Sequence, residues 1–133
     1  MKKHFDPIKD KSADIIEYIM SSPDIPDNDA IQFKIRLSVE EVVENVVRYA
    51  YEDGFGWLEA GVNLDKDGLA LNIEIKDAGV PFNPLEAKEP DLDATLEDRK
   101  IGGLGIFLTK QMMDSVEYEY VDGCNVLKMK KTL

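Results

Sequence analysis

Apolar residues recur at helical spacing from Lys9 to Met20, where Ala13, Ile16 and Ile19 or Met20 share a face. Residues 21–27 then break the pattern with two serines, two prolines and two aspartates. The next segment carries two readings. Residues Ile31 to Leu37 alternate apolar and polar, which predicts a strand, and Ser38 to Glu41 has the form of a capping box that opens a helix. The rival is one continuous helix from about Asp29 to Tyr51. Val39, Val42, Val43, Val46, Val47 and Ala50 fall on one helical face, and Asp53 to Gly56 end the run. Trp57–Leu64 and Leu69–Ile75 read as strands joined by Asp65 to Gly68, whose Asp-Gly step signals a hairpin. Asp77 to Pro84 is turn-rich. Leu85 to Lys100 is polar and acidic without a period, and reads as a long loop of the kind that often forms a lid. Leu104–Met113 is a further amphipathic helix, entered through glycines. Val116–Val121 and Asn125–Met129 form a last hairpin around Asp122 and Gly123.

Strands and helices do not alternate regularly, so a doubly wound parallel sheet is disfavoured. The order predicts an α+β, two-layer sandwich, with helices on one face of a mixed, mostly antiparallel sheet. The chain has 133 residues, the size of one domain over residues 1–133, long enough to bury a core. Trp57, Met112 and Met113 are assigned to that core. A 44% hydrophobic and 32% charged composition fits a folded soluble chain, and no apolar run reaches membrane-spanning length. The basic N-terminus lacks the apolar stretch of a signal peptide, and Cys124 is the one cysteine, so the cytoplasm is expected.

The formal net charge of −11 argues against a phosphate-backbone partner, which normally meets a basic patch. Lys128, Lys130 and Lys131 form the one comparable cluster, and alternation on an exposed strand explains it. An acidic chain also repels a nucleotide at long range, so a nucleotide site here must rely on local donors and a metal ion.

Glu41 and Asn45 are four apart, so a helix stacks them one turn from each other, with Arg48 near the same stripe. An asparagine carbonyl is a hard ligand suited to Mg²⁺. A carboxylate one turn away can take a proton from a group attacking a γ-phosphate. Taken alone, Glu40, Glu41, Glu44 and Arg48 read equally as a solvated helix face with an ion pair. Asp77 and Gly79 follow an apolar strand, where a carboxylate can accept from an exocyclic amine and glycine lets a ring approach; an ordinary turn is the alternative. Gly102, Gly103 and Gly105 flank Leu104 at a helix start, where backbone N–H groups can meet an anion; a hinge is the alternative. With His4 as the one histidine and no metal-ligand spacing around Cys124, hydrolase triads and zinc sites are set aside.

In sequence order, Glu-x-x-x-Asn on a helix, Asp-x-Gly after a strand, a lid, and Gly-Gly-Leu-Gly before a helix resemble the GHKL, or Bergerat-fold, ATPases. Within them, Glu41-Val-Val-Glu-Asn45-Val-Val-Arg-Tyr-Ala-Tyr51 resembles the N box of the anti-sigma factor serine kinases. Asp77-Ala-Gly-Val-Pro-Phe-Asn-Pro84 looks like their first glycine box, with Phe and Pro in place of the superfamily's second glycine. Arg99-Lys-Ile-Gly-Gly-Leu-Gly-Ile-Phe-Leu108 looks like their second. The likeness covers nearly the whole chain.

That resemblance implies ATP and Mg²⁺ as cofactors and an ATP lid over about residues 83–101. It makes Glu41 the general base, Asn45 the Mg²⁺ ligand and Asp77 the acceptor for the adenine amine. Gly79 shapes the adenine pocket, and Gly102, Gly103, Leu104 and Gly105 cradle phosphates. Arg48, Arg99 and Lys100 are further phosphate contacts. Asn125 stands in for a threonine that the family often carries near the adenine. The family phosphorylates a serine or threonine of a STAS-domain antagonist and sequesters a sigma factor. A nucleotide-gated binding module without kinase activity and a detached histidine-kinase ATPase domain are the alternatives. The resemblance also selects the continuous helix for the ambiguous segment. Family members usually begin with a fuller first strand, whereas only about eight residues precede the first helix here, which bears on whether a homodimer forms.

Overall fold

A computed structural model describes residues 1–53, 55–86 and 103–133. In chain order its elements are β1 (Lys2–Phe5), α1 (Ser12–Met20), α2 (Asp29–Tyr49), β2 (Leu58–Leu64), β3 (Ala70–Asp77), a 3-10 turn (Pro84–Glu86), α3 (Gly103–Met112), β4 (Ser115–Val121) and β5 (Cys124–Thr132).

The ambiguous segment is one helix. Asn28 caps α2, its side chain accepting from the Ile31 N–H at 3.1 Å. Ser38 is no cap. It lies mid-helix, buried, and its hydroxyl donates back to the Lys34 carbonyl at 2.8 Å. The helical face of Ile35, Val39, Val42 and Val43 is buried against the sheet, and this outweighs the local alternation at residues 31–37.

The strands form one sheet in the order β1-β2-β3-β5-β4. Every described pairing is antiparallel, so no parallel pair appears where the sequence left room for one. The α+β layering is as expected. β1 was not foreseen. Its four residues pair with β2 from Lys2 opposite Gly61 to Phe5 opposite Leu58, and the pattern was too short to register.

Opposed residues in an antiparallel pair point to the same face. One face carries Leu58, Ala60 and Val62 of β2, Leu71, Ile73 and Ile75 of β3, and Leu127 and Met129 of β5, and it is the core side. Each such large apolar side chain contributes on the order of 1.5–3 kcal/mol by burial. The other face carries Glu59, Glu74, Lys76, Lys128 and Lys130, opposite charges standing across from each other. Lys130 pairs with Asp65 at 3.0 Å. Lys131 points the other way and donates to the Met112 carbonyl at the end of α3. The lysine cluster is therefore divided between two faces.

Both hairpins turn as their Asp-Gly steps predict, with Gly68 at φ 72° and Asp122 and Gly123 at φ 53° and 76°. Met113 is buried in the core, as expected. Trp57 is a correction: it is half-buried at the sheet margin and stacks on His4 with ring centroids 5.2 Å apart. Among the described residues no helix is long and apolar enough to cross a membrane.

Candidate functional site

The buried row on the core side of β3 and β5 runs Ile73 opposite Met129, Ile75 opposite Leu127, and ends with Asp77 opposite Asn125. Two polar residues thus occupy positions where the alternation calls for apolar ones. They close one end of a narrow, mostly apolar cleft. Val42 and Val46 of α2 and its C-cap Ala50 wall it on one side, Ile75 and Leu127 form its floor, and Ile106 of α3 faces it. Asn45, Asp77 and Asn125 are among its polar groups. Tyr49, Val80 and Phe82 stand at its rim, each about half exposed.

The loop leaving β3 has its backbone groups engaged within the protein. Tyr51 accepts from the Ala78 N–H at 2.9 Å and donates to the Trp57 carbonyl at 2.6 Å. The Gly79 N–H donates to Asp77 Oδ1 at 2.9 Å, and the Val80 N–H to the Ala50 carbonyl at 2.9 Å. Asn125 Nδ2 donates to the Val80 carbonyl at 2.9 Å and to Asp77 Oδ1 at 3.0 Å, while its Oδ1 accepts from the Phe82 N–H at 3.1 Å. These bonds hold the loop in shape.

Gly79 is required for a reason the sequence did not show. A Cβ there would lie 2.1 Å from the Ala50 carbonyl oxygen, which is backbone at the end of α2. The glycine lets the loop pass the helix end.

Asp77 is 3% exposed, and burial pushes its carboxyl above the ordinary carboxylate range, against the opposing pull of the Asn125 and Gly79 hydrogen bonds. On α2, Asn45 Nδ2 donates to Glu41 Oε1 at 3.3 Å. That leaves the Asn45 carbonyl oxygen as the atom that could hold a metal ion. Burial also raises Glu41, opposed by the Asn45 hydrogen bond and by Arg48. Arg48 is exposed and pairs with Glu44 at 3.6 Å. Gly103, Leu104 and Gly105 form the first turn of α3, the helix whose Ile106 faces the cleft. Arg99, Lys100, Gly102 and nearly all of the expected lid lie outside the described residues.

Asn45, Asp77 and Asn125 therefore meet in one cleft, with Glu41 bonded behind Asn45. A family model described as histidine kinase-like ATPase domain matches residues 12–131, nearly the whole chain and all of this site. The chain belongs to this family. The GHKL resemblance read from the three boxes is borne out. The domain is 27% identical over 99 residues to the serine/threonine-protein kinase BtrW of Bordetella bronchiseptica, covering 74% of this chain and 69% of that protein. It is 31% identical over 103 residues to the serine-protein kinase RsbW of Listeria monocytogenes, covering 72% of this chain and 63% of that one. Among solved structures, the RsbU and RsbW domains of Rv1364c from Mycobacterium tuberculosis superpose over 100% of this chain and 32% of that chain. Their TM-score is 0.62 at 14% identity, a likeness of fold.

Sequence reasoning missed Tyr51, Phe82 and Tyr118 in this ATPase-family site. Tyr51 closes the N-box segment, where the resemblance gives it no role. Tyr118 lines the cleft and donates to Asn125 Oδ1. Its position two residues after Val116 marks it as inward-facing, and that alternation was the available signal.

Proposed function

We propose that this chain is an ATP-dependent protein serine/threonine kinase of the anti-sigma type. It transfers the γ-phosphate to a serine or threonine of a STAS-domain antagonist and sequesters a sigma factor. The observation that carries the reading is the pairing of Glu41 with Asn45 beside a cleft that ends in Asp77. The names of the Bordetella and Listeria relatives support the same activity.

Asp77 accepts a hydrogen bond from the adenine amine, and the apolar walls take the ring. Gly79 keeps the loop close to α2. The residues fit a Mg²⁺ ion: Asn45 offers one hard oxygen, which suits a cation that keeps waters and takes phosphate oxygens. When bound, Mg²⁺ would neutralise phosphate charge. Among the described residues no group of three His, Cys, Asp or Glu could cage a metal by itself. The amides of Gly102, Gly103, Leu104 and Gly105, with Arg48, Arg99 and Lys100, are the phosphate contacts of this reading. Arg48 must leave Glu44 to serve.

Glu41 has one oxygen bonded to Asn45 and a second that receives the proton of the attacking hydroxyl. The hydroxyl oxygen of the substrate serine or threonine bonds to the γ-phosphorus as the bond to the ADP oxygen breaks. A carboxylate raised toward neutrality by burial is a stronger base than an exposed one.

The test is labelled-phosphate transfer from ATP to a STAS-domain protein. Glu41→Gln should retain Mg-ATP affinity and lose transfer by roughly 100-fold or more. Unchanged transfer removes Glu41 as the base, and binding without transfer in the wild type favours a nucleotide-gated binding module. Asn45→Ala should weaken binding only when Mg²⁺ is present, which titration with and without the metal reads directly.

A further inference from the structure

We propose that Asn125 and Tyr118 form a clamp that positions Asp77 and the 78–82 loop for the nucleobase, and that Asn125 makes no bond to the ligand itself. The proposal rests on the ATP-binding reading of the cleft and changes the role expected for Asn125, from contact residue to positioning residue.

A side-chain amide has two N–H donors and an oxygen with two lone pairs. In Asn125 all four are used inside the protein. Nδ2 donates to Asp77 Oδ1 at 3.0 Å and to the Val80 carbonyl at 2.9 Å, with the Gly79 carbonyl at 3.4 Å sharing the second direction. Oδ1 accepts from the Phe82 N–H at 3.1 Å and from the Tyr118 hydroxyl. The partners also fix which way the amide faces. A backbone N–H must meet the oxygen, and a carboxylate and a carbonyl must meet the nitrogen, so the flipped amide is excluded.

Asp77 shows the complementary pattern. Gly79 and Asn125 both bond to Oδ1, and Oδ2 carries neither bond. The clamp thus turns one carboxylate oxygen inward and leaves the other for an amine in the cleft. Tyr118 extends the chain to β4: its hydroxyl anchors the side of Asn125 away from Asp77. The three side chains span β3, β5 and β4, so the loop is fixed to three strands at once.

The test is calorimetric titration of Mg-ATP into the whole chain between pH 5 and 7.5. The proteins are the wild type, Asn125→Leu and Tyr118→Phe, each checked for fold by circular dichroism. The titratable groups beside Asp77 are Tyr51 just after α2, which also feels Cys124, and Tyr118 through Asn125. Free phenols and thiols titrate above this range. Wild-type affinity should fall on acidification as Asp77 takes a proton. Asn125→Leu should bind roughly 10- to 100-fold more weakly at pH 7.5, and its acid fall-off should begin at higher pH, because a bond favouring the charged carboxylate is gone. Tyr118→Phe should show a smaller change in the same direction. If Asn125→Leu binds more weakly but falls off at the wild-type pH, the residue touches the ligand or merely supports the fold, and the clamp is overturned. An unchanged affinity does the same. Should Asn125→Leu fail to fold, Tyr118→Phe decides, since it deletes one oxygen. A wild type that binds no Mg-ATP at any pH overturns the ATP reading and the clamp with it, an outcome separate from variant-specific failure.

Discussion

Gly79 has no room for a side chain, and the obstacle is backbone, which cannot rotate away as a flexible side chain could. Gly79→Ala must therefore separate the loop from the end of α2 and break the Val80 to Ala50 hydrogen bond. A loss of about 1–3 kcal/mol is expected, or more, since overpacking against fixed atoms falls at the upper end of that range. Thermal melting measures it, and an unchanged midpoint would mean the loop does not pass the helix as described. Asp77 has the opposite character. Its folded pKa is raised by burial, so the charged form costs stability that is lost as pH rises through that raised value. Asp77→Asn removes this cost. The melting temperature of the variant relative to wild type should rise from acid toward neutral pH, while Mg-ATP affinity is lost. A relative stability that falls with pH would show that the carboxylate is stabilised, not strained, in its buried place.

Tyr51 joins three places through one hydroxyl: the turn just after α2 that carries it, the entry to β2 at Trp57, and the exit from β3 at Ala78. A Cβ on Gly56 would lie 2.3 Å from its ring, so the turn before β2 is also shaped around it. Tyr51→Phe keeps the ring and removes both hydrogen bonds, leaving the half-buried Trp57 carbonyl without this donor and the exposed Ala78 N–H without this acceptor. Destabilisation of about 1–3 kcal/mol is expected, together with faster hydrogen exchange at Ala78. If exchange there is unaffected, the hydroxyl does not hold the loop. The elements themselves were largely legible in the pattern. The valine stripe of α2, the Asp-Gly hairpins and the apolar strands each carry a period that survives folding. Glu41, Asn45 and Asp77 were legible as one site only through the resemblance of the three boxes taken in order, since each alone read equally as a solvated helix face or a turn. What was hidden depends on contacts between distant segments. The four residues of β1 are a strand only because β2 offers an edge. Ser38 resembled a cap until Asn28 took that role. The crowding at Gly79 comes from Ala50, 29 positions earlier, and the bonds of Asn125 to Asp77, Val80 and Phe82 span 43 to 48 positions, so no local period encodes them.

Charge is the property that belongs to the whole molecule. The chain carries a formal −11, and exposed ion pairs such as Arg36 with Glu17 at 2.6 Å and with Glu40 at 3.0 Å contribute little to stability. They do not remove the excess of negative charge. An incoming Mg-ATP, itself an anion, approaches a surface of like sign, and the attractive donors of the site act only at short range. Screening shortens the repulsion: the Debye length falls from roughly 30 Å at 0.01 M salt to about 8 Å at 0.15 M. The association rate for nucleotide should therefore rise several-fold over that interval, whereas a site steered by local lysines and arginines would slow. Dissociation, governed by contacts inside the cleft, should change less. Stopped-flow mixing with a fluorescent ATP analogue at constant Mg²⁺ separates the two rates. A rise in association with salt supports an acidic surface whose nucleotide contacts are local. A fall would mean that cations near the cleft mouth outweigh the net charge, and the account of long-range repulsion would be wrong.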